Sequence, residues 1–208
     1  STACGKLIFF VLQIICFSGD FMNVYDFDNT IYDGESAVDF FKFCIKRKKS
    51  LARLFPLMLI KLVKYKLCLV SGEEIERYIG KYSCELFSAF PDIEKTVEEF
   101  WDKNFRKIKR FYLENKRSDD VILSASFGFL LKEPIKRLDI KNVISSEIDL
   151  KSGKLVRLCY KEKKVELLKP MLSGEKITFF TDSMNDRAMI DFSDSAFLVK
   201  GERLIKLK

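Results

Sequence analysis

Histidine is absent from the 208 residues of this chain. Its absence excludes Ser-His-Asp and Cys-His catalysis and every metal site that depends on imidazole ligands. Proline and glycine are scarce, at 4 and 9 residues, so the composition is not that of a collagen-like or low-complexity chain. The six cysteines include no CxxC pair, which argues against a zinc site.

What remains is the composition of a globular protein, with 48% hydrophobic and 32% charged residues. The length suits one domain with a sizeable core, or a core with a small inserted domain. The cysteines fit a reducing, cytoplasmic setting better than a disulfide framework. The net charge is +7, but the basic residues are spread along most of the chain, so we do not expect a nucleic-acid partner. The sequence does not indicate an oligomeric state.

Residues 1–21 differ from the rest of the chain. The apolar run from Lys6 to Phe17 is too short for a membrane span but has the length of the hydrophobic part of a signal peptide. We interpret residues 1–21 as a non-native leader, with Met22 as a candidate initiator. A cleaved signal is the alternative interpretation.

The most informative pattern is a pair of carboxylates after a short apolar run. If Val24 to Phe27 is a strand, Asp26 and Asp28 are two positions apart and lie on the same side of the backbone. At the carboxyl end of a strand in an open α/β sheet, both face the crevice where such sheets bind ligands. Carboxylates this close repel unless a cation or a shared proton lies between them. The pair therefore indicates either a Mg²⁺-dependent phosphoryl-transfer centre or a plain acidic turn.

Three further patterns follow in a fixed order along the chain. An apolar run ends at Ser124, a lysine-rich helix start spans Lys161 to Val165, and another apolar run ends in acids from Asp182 to Asp186. With the acid pair, they resemble the four motifs of the haloacid dehalogenase superfamily of phosphohydrolases. The resemblance extends from about Asn23 to Val199 and includes features of the phosphoserine-phosphatase-like branch.

The order of predicted elements indicates an α/β protein. After Asp120, strand and helix patterns alternate, which predicts a parallel sheet covered on both faces. The resemblance implies a Rossmann-like parallel sheet sandwiched by helices, with an inserted all-helical cap. The expected core comprises residues 22–35 and 118–208, and the expected cap comprises residues 36–117.

Four segments of the expected cap have helical patterns. We predict a helix from Ser36 to Lys49, and an apolar, lysine-containing segment from Leu51 to Val70. Ser71 has capping-box spacing and predicts another helix start. The apolar spacing from Ile93 to Tyr112 predicts one long amphipathic helix. A cap of this kind closes over the site, excludes water and selects the substrate.

The resemblance also implies roles for the first two motifs. Asp26 is the expected nucleophile, and it binds Mg²⁺ together with the backbone carbonyl of Asp28 and the carboxylate of Asp182. Asp28 is the expected acid and base, and Thr30 is expected to hold the turn. Glu35 either faces the substrate, as in phosphoserine phosphatases, or is an ordinary acid at a helix N-terminus.

The remaining motifs contribute the phosphate contacts. Ser124 is expected to donate a hydrogen bond to the phosphoryl group. Lys164 has the family spacing for the lysine that offsets the phosphoryl charge, and Lys163 is the alternative. Asn185 is expected to contact substrate or phosphate, and Asp186 to orient Lys164 or a metal-bound water. Thr181 replaces the glycine that the family usually has before Asp182.

We therefore expect Mg²⁺-dependent hydrolysis of a small phosphomonoester through an aspartyl-phosphate. Phosphoserine itself remains open, because no arginine has the context of a carboxylate-binding residue; the candidates are Arg53, Arg77, Arg106 and Arg110. The apolar, basic residues 51–70 favour a packed cap helix, but membrane contact, a phosphotransferase or a lipid-phosphate phosphatase is an alternative. A catalytically silent binding module is the alternative of a different class.

Overall fold

The computed structural model of the protein describes residues 21–66, 69 and 72–208. Apart from Phe21, the predicted leader lies outside these residues, and so does the predicted capping box at Ser71. The centre of the described chain is a seven-stranded sheet with spatial order β4-β3-β2-β1-β5-β6-β7. In chain order the strands are β1 (Phe21–Tyr25), β2 (Val121–Phe127), β3 (Asn142–Ile148), β4 (Leu155–Arg157), β5 (Lys176–Thr181), β6 (Ser195–Lys200) and β7 (Arg203–Lys206).

The sheet is parallel except at its two edges. Strands β1, β2, β3, β5 and β6 pair in parallel, whereas β4 and β7 run antiparallel to their neighbours. The predicted parallel α/β fold is thus confirmed, and β4 forms a hairpin with β3. The sequence pattern did not indicate β7.

Helices flank the sheet and also fill the chain between β1 and β2. The helices are α1 (Ser36–Arg47), α2 (Phe55–Lys66), α3 (Gly72–Ala89), α4 (Ile93–Asn104), α5 (Arg110–Asn115), α6 (Gly128–Leu138), α7 (Glu162–Leu168) and α8 (Arg187–Phe192). We call the segment from α1 to α5 the helical insertion. In the part of the chain that the structure describes, no helix combines the length and the apolar character needed to span a membrane.

The predicted single helix from Ile93 to Tyr112 is wrong. The chain leaves α4 after Asn104, makes a 3-10 turn and becomes extended before α5. At this point its backbone bonds to the turn after β1: the N–H of Asp33 donates to Lys107 O at 2.8 Å, and the N–H of Lys109 donates to Ile31 O at 2.8 Å. A continuous helix would use these backbone groups internally, so the pairing interrupts it.

The helical insertion is joined to the sheet layer through Trp101 on α4, which is fully buried. Pro134 inside α6 has no N–H, so the carbonyl of Leu130, four residues earlier, lacks its helical donor. The indole Nε1 of Trp101 donates to that carbonyl at 2.7 Å. One side chain therefore satisfies a buried acceptor and connects α4 to α6.

Apolar side chains form two clusters. The larger one is continuous from the first strand into the helical insertion and includes Tyr25, Phe40 and Leu86. The smaller one includes Cys159. Cys44 and Cys159 are buried and carry free thiols, as expected for small core residues.

Candidate active site

The turn after β1 presents the two leading carboxylates at the carboxyl edge of the sheet. The N–H of Asp26 donates to Phe180 O on β5 at 2.9 Å, which fixes the backbone at this point. Asn29 adopts a φ of 56°, a left-handed conformation that asparagine tolerates better than most residues. Thr30 is fully buried in the turn, and its hydroxyl has no hydrogen-bond partner within the described residues.

A cavity of about 110 Å³ lies at this edge of the sheet, and we call it the acidic cavity. Eight of the nine predicted site residues line it, and the exception is Thr30. The eight are Asp26, Asp28, Glu35, Ser124, Lys164, Asp182, Asn185 and Asp186. Tyr160 and Ser183 also line the cavity, and sequence reasoning missed both because neither has a distinctive spacing.

Lys164 lies at the centre of the acidic cavity. Its Nζ is 2.9 Å from Asp26 Oδ1 and 2.9 Å from Asp186 Oδ1, and its side chain is 3% exposed. Lys163 instead points to solvent and pairs with Glu166 at 2.7 Å. Of the two predicted lysines, only Lys164 therefore reaches the carboxylates.

Burial and neighbouring charges together set the protonation states of Asp26 and Lys164. Burial raises the pKa of Asp26, Lys164 lowers it, and the charges of Asp186 and Asp182 add to the rise. Burial lowers the pKa of Lys164, but the two carboxylates outweigh burial and raise it. Lys164 is therefore a cation at neutral pH, and one lysine does not neutralise the acids around it.

Two serines hold Asp28. Its Oδ1 accepts the backbone N–H of Ser36 at 2.7 Å, and its Oδ2 accepts the hydroxyl of Ser126. Burial raises the pKa of Asp28 to about 6; the hydrogen bond from Ser126 lowers it, and Glu35 raises it further. Sequence reasoning assigned Ser126 no contact with the site. A signal existed, since Ser126 follows Ser124 by two positions and alternate residues of a strand share a face.

Asp186 and Ser124 are fixed in a similar way. The hydroxyl of Thr181 donates to Asp186 Oδ2 at 2.8 Å, so the residue that replaces the usual glycine orients a carboxylate. The side-chain oxygen of Ser124 accepts the backbone N–H of Ser126 at 3.1 Å. Its hydroxyl hydrogen therefore remains available to a ligand in the cavity.

Lys109, which sequence reasoning also missed, supports the turn from the helical insertion. It is buried, and its Nζ donates to the backbone carbonyl of Asn29. Burial lowers the pKa of Lys109, opposed by the charges of Asp33 and Asp182. No sequence pattern distinguishes it from the many other lysines of this chain.

The donor set of the acidic cavity fits a hard divalent cation. Its described lining contains five carboxylates and a single lysine. No three acidic or thiol side chains of the described residues stand close enough to enclose a metal ion by themselves. Carboxylate oxygens are the ligands that Mg²⁺ prefers.

The fold and the site together define an α/β enzyme whose polar centre lies where the carboxyl ends of β1, β2 and β5 meet. The model of the haloacid dehalogenase-like hydrolase family matches residues 24–191, and the chain belongs to this family. No curated protein matches the chain in sequence.

Several solved structures share the fold. A protein of unknown function from Bordetella pertussis Tohama I has a TM-score of 0.69 at 16% identity, over 86% of this chain and 89% of that one. A phosphoserine phosphohydrolase-like protein from Francisella tularensis subsp. tularensis SCHU S4 has a TM-score of 0.58 at 15% identity, over 84% and 85%. A substrate-bound phosphoserine phosphatase has a TM-score of 0.53 at 13% identity, over 86% and 85%.

Proposed function

We propose that this protein is a phosphatase that hydrolyses a small phosphomonoester through an aspartyl-phosphate on Asp26. The observation that carries the proposal is the position of Lys164. Its Nζ bridges Asp26 and Asp186 inside a buried cavity that Asp28, Ser124 and Asp182 also line. Phosphoryl transfer needs little beyond a positioned nucleophile, neutralised oxygens and a proton donor for the leaving group.

The first half of the reaction uses the turn after β1. A carboxylate oxygen of Asp26 attacks phosphorus, and the bond from phosphorus to the ester oxygen breaks. The carboxyl of Asp28 gives its proton to the leaving oxygen, which departs as an alcohol. A pKa of about 6 suits this donor, since general acids work best near the ambient pH. Lys164 and the hydroxyl of Ser124 neutralise and orient the phosphoryl oxygens.

The second half returns the enzyme to its starting state. Asp28, now a carboxylate, takes a proton from a water molecule, whose oxygen attacks the phosphorus of the aspartyl-phosphate. The bond between phosphorus and Asp26 breaks and phosphate leaves. Ser126 and the backbone of Ser36 keep Asp28 in place through both steps, because each occupies one of its carboxyl oxygens.

Mg²⁺ is the metal that we propose for this site. Asp26, the carbonyl of Asp28 and Asp182 would hold it, and Asp186 would orient its surroundings. When bound, it supplies positive charge to the phosphoryl oxygens and offsets the repulsion among the five carboxylates.

We further propose that the helical insertion acts as a cap and that residues 22–35 and 118–208 form the core. Glu35, the residue directly before the insertion, lines the acidic cavity, and Lys109 from the insertion bonds to the turn that bears Asp28. A cap in this position excludes water from the transferring phosphoryl group.

The test is hydrolysis of p-nitrophenyl phosphate by the purified protein, with Mg²⁺ and with EDTA, beside the Asp26→Asn variant. We expect metal-dependent release that the variant lacks, at unchanged far-UV circular dichroism. Retained turnover in folded Asp26→Asn would contradict the mechanism. Because a closed cap can reject this compound, acetyl phosphate serves as a second, smaller substrate.

A further inference from the structure

A second cavity, of about 280 Å³, adjoins the acidic cavity, and we call it the apolar cavity. The two cavities share Asp28, Glu35 and Ala125 in their lining, so they meet where the leaving group of a phosphoester would project. The volume approaches the lower end of ordinary ligand sites, which begin at about 300 Å³.

Most of the wall of the apolar cavity is hydrophobic. Aromatic side chains from the helical insertion, β2 and α6 contribute much of it, and aliphatic ones fill the gaps. Phe129 organises the wall, with Phe87 edge-on at 5.6 Å and Phe127 stacked at 6.0 Å between ring centroids. A wall of this kind stabilises an apolar group that it removes from water.

Charged groups in this wall are few, and each is already engaged. Asp28 and Glu35 lie at the junction with the acidic cavity. Lys61 is the only basic residue of the described lining; its Nζ lies 3.7 Å from the centroid of the Tyr78 ring and 3.6 Å from Glu74. None of the described lining residues of either cavity is an arginine.

This composition bears on the substrate. The ammonium group of phosphoserine could pair with Glu35. The carboxylate of phosphoserine, however, would enter the apolar cavity, whose described lining contains no arginine to bind it. Moving an ion into such a space without a partner is costly. A neutral, hydrophobic alcohol would instead fill the wall around Phe129 and leave the junction to the phosphoryl group.

We propose that the substrate is the phosphomonoester of an apolar, uncharged alcohol, whose hydrocarbon part occupies the apolar cavity. This inference rests on the proposed phosphatase function. It assigns the residues of the helical insertion that face the cavity, including Met58 and Ile79, to recognition of the leaving group.

The experiment compares alkyl phosphates of increasing length with phosphoserine, all with Mg²⁺. We expect kcat/KM to rise by about fourfold for each methylene from ethyl to hexyl phosphate, the free energy of burying one such group. Propyl phosphate, which has the same carbon skeleton as phosphoserine, should be the better substrate of the two. Ile79→Asp, which puts a charge in the wall, should flatten the rise with chain length. Ile205→Asp, on an exposed strand away from this lining, is the matched control.

The outcomes separate this inference from the function on which it rests. A flat or falling profile, or a preference for phosphoserine over propyl phosphate, would overturn the inference while leaving a phosphatase. If the protein turned over none of the phosphoesters and did not hydrolyse acetyl phosphate either, both would be overturned. The wild-type profile decides the matter even if Ile79→Asp does not fold.

A second, independent observation concerns the outer surface of α2. Residues 40–72 contain nine lysines and arginines and no acid. Four of the nine, Lys42, Arg47, Arg53 and Lys61, pair with acids outside this segment. Helix α2 exposes large apolar side chains to solvent, each between 42% and 52% exposed: Leu57, Leu59, Ile60 and Val63. We call these four side chains the α2 face.

We infer that the α2 face docks on an anionic membrane surface. Apolar side chains flanked by lysines suit the boundary between lipid headgroups and acyl chains. A second copy of this chain is a poorer occupant, because it would bring two strongly basic segments together. Lys64 is exposed on α2, next to Val63 in the sequence.

Co-sedimentation with vesicles tests this second inference. We expect binding when phosphatidylglycerol is mixed into phosphatidylcholine, weak binding to phosphatidylcholine alone, and loss of binding at high salt. The double variant Leu57→Ser, Ile60→Ser should bind less. The control, Leu113→Ser with Val156→Ser, removes apolar side chains that are also exposed and should bind as the wild type does. No binding at low salt, or self-association that the double variant abolishes, would overturn the inference.

Discussion

Replacing Lys164 with methionine tests how the acidic cavity is held together. The change keeps a flexible side chain of similar length but removes the charge that lies 2.9 Å from both Asp26 and Asp186. Removing one partner of a buried ion pair typically costs about 3–5 kcal/mol, because the other charge stays buried and unpaired. For a chain of this size, that loss lowers Tm by about 6–20 °C.

Lys163→Met is the matched control, since the two lysines are neighbours in α7. The Lys163–Glu166 pair is more than half exposed on both sides, and such pairs contribute about 0–1 kcal/mol. Thermal unfolding of both variants in EDTA prevents a bound cation from replacing the lost charge. If the two variants unfold within about 2 °C of each other, the carboxylates are not held by Lys164 and the reasoning is refuted.

A double-variant cycle identifies the charge responsible. Adding Asp26→Asn to Lys164→Met removes one of the unpaired carboxylates, so part of the lost stability should return. Directly interacting groups typically show coupling of about 0.5–3 kcal/mol in such cycles. Additive losses would mean that Asp26 and Lys164 do not interact in solution.

Three further predictions address the surroundings of the site. Ser126→Ala removes a hydrogen bond to Asp28, and we expect kcat to fall by about 10- to 100-fold with little change in Tm, measured by steady-state kinetics and calorimetry. Burial raises the pKa of Asp120 to about 6, so the folded state binds its proton more tightly than the unfolded state, and this contribution to stability is lost as pH rises from about 4 to about 6. Asp120→Asn should remove up to about 3 kcal/mol of that pH dependence in urea unfolding, and an unchanged dependence would contradict the assignment. Trp101→Phe leaves the Leu130 carbonyl without its donor and should lower the free energy of unfolding by about 1–3 kcal/mol in urea; a loss near zero would show that water replaces the indole.

Most of the site could be predicted from the sequence, because each of the main site residues follows a strand or begins a helix. The alternation of Asp26 and Asp28 along the strand placed both at one edge of the sheet. The spacing of the resembled family favoured Lys164 over Lys163, and the structure separated the two. These patterns are local. The residues that carry them meet because the parallel sheet places the carboxyl ends of its strands at one edge. Their catalytic roles remain predictions that the proposed assays test.

The features that could not be predicted from the sequence depend on contacts between distant parts of the chain. The break between α4 and α5 follows from pairing with Ile31 and Asp33, and no residue near Lys107 indicates it. Lys109 is likewise one lysine among many until the fold brings it to Asn29. The apolar spacing that predicted one helix describes which side chains are buried, and burial alone does not require the backbone to stay helical.

Trp101 has a spectroscopic consequence, since it is the only tryptophan of the chain. Its indole lies in a dry, aromatic setting beside Phe27 and Tyr32, at the junction of α4 and α6. The emission of an indole moves to longer wavelength when water reaches it, so any rearrangement that separates these helices changes the intrinsic fluorescence. Trp101 therefore reports any opening at this junction without an added label. A titration with phosphate analogues can be followed by the wavelength of its fluorescence emission.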